Sequence, residues 1–373
     1  MNPIESLRTA GVAVWIDTLS RDLLETGRFA QWIAQDGVSG ATSNPTIFAE
    51  ALAGESNRYD AEIEKLVAGG QTEPRELFLS LAITDVGAAA DLLLDAHRSS
   101  GGCDGFVSIE CTPDLADDTD ATIAQGLDIW SRLDRPNVMV KVPATAAGVP
   151  AVAELLAEGV NVNVTLLFAQ SRYREILDAF MTGLERRRAR GGDPASVASV
   201  ASFFVSRIDT KVDRQLPQGS PLRGKVAIAN AKLAYEMWQE RLTEERWTAL
   251  AAAGARSQRL LWASTGTKSP DYSDVVYVEQ LVGPDLINTM PPKTRDAFAD
   301  HGQVSRTIDA DLDAARDALE GLAREGIDLD TVSGELEREG VGSFCASYRD
   351  LLATIDRRVR ALRPESAATR ALS

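Results

Sequence analysis

Eight short apolar runs recur along the chain, at 12–17, 39–42, 105–110, 138–143, 162–168, 200–207, 259–264 and 285–290. Most are unbroken rather than alternating in polarity. An unbroken run suits a strand buried on both faces, which implies a parallel sheet clothed by helices. Helical periodicity fills the intervals, at 22–34, 75–98, 119–133, 150–158, 170–190, 221–241 and 245–254. Strand and helix therefore alternate, and eight such units in about 290 residues match a (β/α)₈ TIM barrel. An open, doubly wound sheet is the alternative. No G-x-G-x-x-G follows the first run, which weakens its dinucleotide-binding version. The helical stretch 52–98, between the second and third runs, is longer than a barrel connection requires.

Beyond the eighth run the pattern changes. Residues 305–362 read as helices without a strand, with Phe344, Tyr348, Leu351, Leu352 and Ile355 on one face. The expectation is one barrel domain over 1–373, with 305–362 as a helical appendage packed on it and 364–373 as a frayed tail. Hydrophobic residues make up 44% of the chain and charged residues 25%, enough for a sizeable core. No run of eighteen apolar residues and no signal-peptide pattern is present, which points to a cytoplasmic protein without a membrane span.

The net charge of −16 excludes the basic footprint of a nucleic-acid binder. An anionic substrate would need a local cluster of cations. Three scattered cysteines and two histidines, with no C-x-x-C, argue against a disulfide framework or a metal centre. The histidines, His97 and His301, read as surface groups.

Barrel enzymes place their chemistry at the C-terminal ends of the strands. The fourth run, Val138-Met139-Val140-Lys141-Val142-Pro143, carries a lysine where desolvation penalises the ammonium. A neutral amine there can attack a ketone and form an iminium, an electron sink for C–C bond cleavage. The competing reading is a lysine that snorkels to water. Asp17 ends the first run and suits proton transfer with a substrate hydroxyl, or else caps the next helix. Glu110 ends the third run, and Asn161, Asn163 and Thr165 share one face of the fifth. Glu110 and Thr165 together suit a relay water; a satisfied polar layer is the plainer alternative, above all for Asn161. Asn44 stands in the turn Ser43-Asn44-Pro45, as a turn initiator or a ligand for a substrate hydroxyl. Arg207 and Lys268, with Ser264 and the Gly266 backbone, suit a phosphate; solvated loop charge is the alternative for each cation. The stretch Thr265-Gly266-Thr267-Lys268-Ser269 lacks the glycines of a Walker A loop.

Taken in order, these segments resemble the transaldolase family. The resemblance rests on Trp-Ile-Asp ending at Asp17, Thr-Ser-Asn-Pro around Asn44, Val-Ser-Ile-Glu ending at Glu110 and Val-Lys-Val-Pro-Ala-Thr around Lys141. It continues through Asn-Val-Thr-Leu-Leu-Phe from Asn163 and Phe-Phe-Val-Ser-Arg ending at Arg207. The length and helical C-terminal part are similar to the longer bacterial members. The resemblance implies a class I aldolase barrel in which Lys141 forms the Schiff base and Asp17 is general acid/base. It implies that Glu110 and Thr165 hold the catalytic water. Asn44, Asn163 and Ser202 then hold the dihydroxyacetone part, and Arg207 binds phosphate. Where shorter members carry a Ser-Phe-Arg run, this chain has Ser264 through Lys268, so Lys268 stands in for that arginine.

The implied activity is transfer of a three-carbon ketol unit between sugar phosphates by a monomer or homodimer, with no metal or organic cofactor. A fructose-6-phosphate aldolase is the near alternative. Those enzymes usually carry Gln in place of Glu110 and Tyr in place of Phe204, and both residues here favour transfer. A catalytically silent barrel that only binds is a third reading.

Overall fold

The computed structural model describes residues 2–54 and 57–362. Its strands are β1 (Val12–Ile16), β2 (Gly40–Thr42), β3 (Phe106–Glu110), β4 (Val138–Pro143), β5 (Val162–Leu167), β6 (Ser199–Phe204), β7 (Arg259–Ala263) and β8 (Leu286–Met290). They form one closed parallel barrel in sequence order. Closure excludes the open-sheet alternative: β1 pairs with β8 along its whole length, from Val12↔Leu286 to Ile16↔Met290. The β-branched residues that marked the runs are the reason. Val12, Val14, Val138, Val140, Val142, Val162 and Val164 are all buried, facing either the barrel interior or the helical jacket.

Three local differences from the sequence expectation have backbone causes. Segment 22–34 is not one helix. Gly27 adopts φ 75°, separating Arg21–Glu25 from Arg28–Gln31, and a π-turn follows at Trp32–Asp36. The sixth strand stops at Phe204, and Ser206 opens a short helix, Ser206–Val212, so Arg207 lies in a helical first turn rather than in a strand. The helix expected from 221 begins at Val226, after a turn containing Gly224 at φ 69°.

The long stretch between β2 and β3 folds as three helices, Pro45–Ala53, Asp60–Ala68 and Pro74–Ser99. The last is long and apolar enough to cross a membrane by length and composition. Its apolar surface is used in the core instead: Leu77, Leu81, Val86 and Leu93 are buried. His97, near its end, bonds the Asp104 carbonyl and packs edge-on against Phe106.

Residues 305–362 hold two helices, Leu312–Arg324 and Leu329–Leu362, and no strand. Phe344, Tyr348, Leu351 and Ile355 are buried on the inward face of the longer one, and Leu352 is half-buried. The expected frayed tail lies outside the described residues.

The turn after β4 leaves no space for a side chain at Gly148, where a Cβ would stand 1.9 Å from the Pro143 carbonyl oxygen. The glycine amide also accepts no substitute geometry easily, because it donates to the Thr145 hydroxyl at 3.0 Å. Gly148→Ala is expected to destabilise the fold by about 2–3 kcal/mol through backbone displacement. A denaturant midpoint equal to wild type would contradict this close approach.

Candidate active site

The register of the parallel strands builds the centre of the site. Glu110 on β3 stands beside Lys141 on β4, and Lys141 stands beside Asn163 on β5. Lys141 is 4% exposed and Glu110 7%, so neither reaches bulk water. The Lys141 ammonium donates to the Ser43 carbonyl at 3.0 Å and lies 3.2 Å from Glu110 Oε2. The snorkelling alternative therefore does not hold. Burial pushes the Glu110 carboxyl above the usual carboxylate range, against the opposing pull of the Lys141 ammonium.

Around this pair the strand ends form a cavity of about 130 Å³. Asp17 borders it directly after β1. It does not cap the following helix; Ser20 does that, accepting from the Leu23 amide. Its carboxylate instead accepts from Thr42 Oγ1 at 2.7 Å, and Thr42 meets Thr289 at 2.9 Å. Because the Thr42 proton points at Asp17, Thr289 is the donor in that second contact. Two hydroxyls thus orient the carboxylate.

On β5 and β6 a polar chain runs inward. Ser202 donates to Asn163 Oδ1 at 2.7 Å, and Asn163 donates to the Ser108 hydroxyl at 2.9 Å. Asn163 lies behind the cavity wall, with Ser202 on it. Thr165 also borders the cavity; its buried hydroxyl has no hydrogen-bond partner among the described residues. Asn161 does not join this layer. It precedes β5 and serves three backbone groups, those of Pro136, Val138 and Ala198. That is the plainer of its two sequence readings.

Asn44 starts a helix and also reaches the cavity. Its side-chain oxygen caps Pro45–Ala53 by accepting from the Ile47 amide at 2.9 Å, while the residue borders the cavity. The cations sit on the opposite side. Arg207 lies with its guanidinium 5.3 Å from the Phe204 ring centre and makes no ion pair among the described residues. Burial lowers its pKa, with the Asp17 charge opposing, yet a guanidinium stays protonated at neutral pH. Ser264, at φ 54°, turns the loop after β7 and meets Ser206 at 3.1 Å. Beyond it Gly266 and Lys268 complete that wall, with Lys268 exposed at the rim. A chain of net charge −16 thus concentrates three cations, Lys141, Arg207 and Lys268, around one cavity. Among the described residues no cluster of His, Cys, Asp and Glu is placed to hold a metal ion.

A family model described as Transaldolase/Fructose-6-phosphate aldolase matches residues 14–355. The chain belongs to this family. A protein named transaldolase from Thermobifida fusca is 46% identical over 366 residues, spanning 96% of this chain and 99% of its own length. Another, from Saccharopolyspora erythraea, is 47% identical over 356 residues, spanning 94% and 96%. A third, from Frankia alni, is 46% identical over 360 residues, spanning 95% and 96%. The family is enzymatic, and this member is an enzyme.

Sequence reasoning missed Thr42, Thr289 and Phe344, all of which border the cavity. The two threonines end or nearly end β2 and β8, so the strand-end rule that found Asp17 reaches them too. No local signal marks Phe344, whose role depends on where a distant helix crosses. Asp209 was also unmarked. It lies two residues after Arg207, accepts from the Ala227 amide at 2.8 Å and from the Tyr277 hydroxyl at 3.0 Å. It thereby ties the arginine-bearing helix to its neighbours.

Burial pushes the Asp209 carboxyl from its ordinary 3.8 up to about 7. The folded state binds this proton more tightly than the unfolded one. The group therefore contributes most stability below pH 3.8, and the contribution fades as pH rises to about 7. Asp209→Asn removes the titration. Relative to wild type, the variant is expected to gain stability between pH 4 and 7, read from urea unfolding across that range. A stability difference that stays flat with pH would contradict the assignment.

Proposed function

We propose that this enzyme is a transaldolase, transferring a dihydroxyacetone unit from sedoheptulose 7-phosphate to glyceraldehyde 3-phosphate. The products are erythrose 4-phosphate and fructose 6-phosphate, as in the pentose phosphate pathway. The observation that carries the reading is the buried Lys141, paired with Glu110 and sharing with Asp17 a cavity walled by two further cations. The named relatives support the same activity.

Glu110, through a water shared with Thr165, takes the ammonium proton and leaves Lys141 as a neutral amine. The amine adds to C2 of the donor; water departs and an iminium forms. Asp17 accepts the C4 hydroxyl proton, the C3–C4 bond breaks, and its electron pair enters the iminium to give an enamine. Erythrose 4-phosphate leaves as the aldehyde. C3 of the enamine then attacks the aldehyde carbon of glyceraldehyde 3-phosphate, and Asp17 returns its proton to the new hydroxyl. Water adds at C2, the C2–N bond breaks, and the amine is restored. Asn44 and Ser202 hold the hydroxyls of the three-carbon unit, Asn163 contributes from behind the wall by orienting Ser202, and Arg207, Lys268 and Ser264 hold the phosphate. The lysine imine is the electron sink, so no metal or organic cofactor enters.

Phe204 favours transfer over simple aldol cleavage, because a phenyl ring has no proton to deliver to the enamine. In this reading the barrel and residues 305–362 act as one domain. The protein works in the cytoplasm as a monomer or homodimer, without nucleic acid or membrane.

A transfer assay with fructose 6-phosphate and erythrose 4-phosphate, following glyceraldehyde 3-phosphate formation, tests the proposal. Lys141→Ala is expected to fall to background and Glu110→Gln to lose about 10²–10⁴-fold in kcat. Arg207→Ala is expected to raise KM about tenfold or more with a smaller change in kcat, as loss of a charged hydrogen bond implies. Folded wild-type protein that turns over neither sugar would contradict the reading, as would full activity in Lys141→Ala.

A further inference from the structure

The C-terminal helix, Leu329–Leu362, crosses the mouth of the barrel along a definable line. At one point Gly340 packs so closely on Leu166 that a Cβ there would stand 2.8 Å from Leu166 Cδ2. Leu166 follows Thr165 directly, in a β-bulge at φ 55°, a conformation a leucine rarely adopts. Seven residues further on, Ser347 accepts from the Thr46 hydroxyl at 2.9 Å, two residues beyond Asn44. The helix therefore spans from the end of β5 to the end of β2. In the ring order only β3 and β4 lie between those strands on this side. They carry Glu110 and Lys141. Residues Pro113–Leu115, which follow β3, also pack on the helix.

Phe344 lies between Gly340 and Ser347 on that inward face. It is 4% exposed and borders the same cavity as Lys141. It and Phe204 are the phenyl groups among residues that are otherwise mostly polar or small. The helix is fixed from both sides: Lys211 pairs with Glu335 at 2.8 Å on the Arg207-bearing helix, and Arg358 pairs with Asp60 at 2.8 Å. The ring is therefore held in place rather than swinging on a loose terminus.

We propose that Phe344 is a specificity-determining residue that shields the Lys141-bound enamine from water, and so sets the ratio of transfer to release. The proposal rests on the Schiff-base reading above. Release competes with transfer in two balanced steps. A proton from water adds to enamine C3, giving an iminium. Water then adds at C2 and the C2–N bond breaks, yielding free dihydroxyacetone and the lysine amine. A phenyl roof over β3 and β4 hinders the first step, while the aldehyde acceptor enters from the side of Arg207 and Lys268.

The test compares free dihydroxyacetone formed from fructose 6-phosphate alone with transfer to erythrose 4-phosphate, in wild type, Phe344→Ala, Phe344→Leu and Tyr348→Phe. The release-to-transfer ratio is expected to rise about tenfold in Phe344→Ala and about threefold in Phe344→Leu, which keeps apolar bulk. It is expected to stay at the wild-type value in Tyr348→Phe, one turn further along and outside the cavity. Melting curves separate this from loss of fold; if Phe344→Ala does not fold, Phe344→Leu carries the test. An unchanged ratio in a folded Phe344 variant overturns the proposal while leaving the Schiff-base reading intact. Absence of any transfer in wild type overturns that reading, and this one with it.

Discussion

A lysine and a glutamate buried side by side are the constraint on which this site depends. Removing either partner from such a pair leaves an uncompensated charge, at a cost of about 3–5 kcal/mol. The barrel carries the pair because the β3–β4 register fixes the two residues as neighbours and Ser43 supplies a carbonyl to the ammonium. The same confinement underlies the chemistry proposed for the pair. In the proposed mechanism the Glu110 carboxyl, raised by burial, takes and returns the lysine proton. Strand packing and the proposed reactivity both follow from one placement.

The remainder of the site is arranged around that pair by short polar chains rather than by isolated groups. Thr289 and Thr42 aim Asp17, and Asn163 links Ser202 to Ser108. Each buried polar atom in these chains has a partner, which holds its geometry without a ligand. Arg207 and Lys268 stand apart from them, in the helical turn that follows β6 and the loop that follows β7, on the cavity wall. In the proposed mechanism, reacting carbon and charged phosphate are handled by different parts of one cavity. A protein with strong overall negative charge can bind anions only through such local concentration.

The barrel was legible because parallel strands buried on both faces leave unbroken apolar runs; of the polar residues that interrupt those runs, Asp17, Lys141, Thr165 and Ser202 border the cavity, while Glu110 and Asn163 lie behind it and Asn161 stands apart. Lys141, Asp17 and Glu110 stood out since a charge within or closing an apolar run demands a partner. Arg207 was found in the right place but assigned to a strand, because nothing in Phe204-Val205-Ser206 marks the backbone turn that starts the helix. The break at Gly27 escaped for a related reason: one glycine inside a periodic pattern does not reveal a positive φ. Phe344 illustrates a deeper limit. Periodicity identified its buried face, but the path of a terminal helix over the barrel is set by contacts with Leu166 and Thr46, far away in sequence.

The central claim is a covalent bond between substrate and one named nitrogen, and borohydride trapping tests it most directly. The protein is incubated with fructose 6-phosphate, reduced with sodium borohydride, digested and mapped by mass spectrometry. The account predicts a dihydroxyacetone-derived secondary amine on Lys141 and on no other lysine. Folded protein that yields no adduct at Lys141 would contradict it.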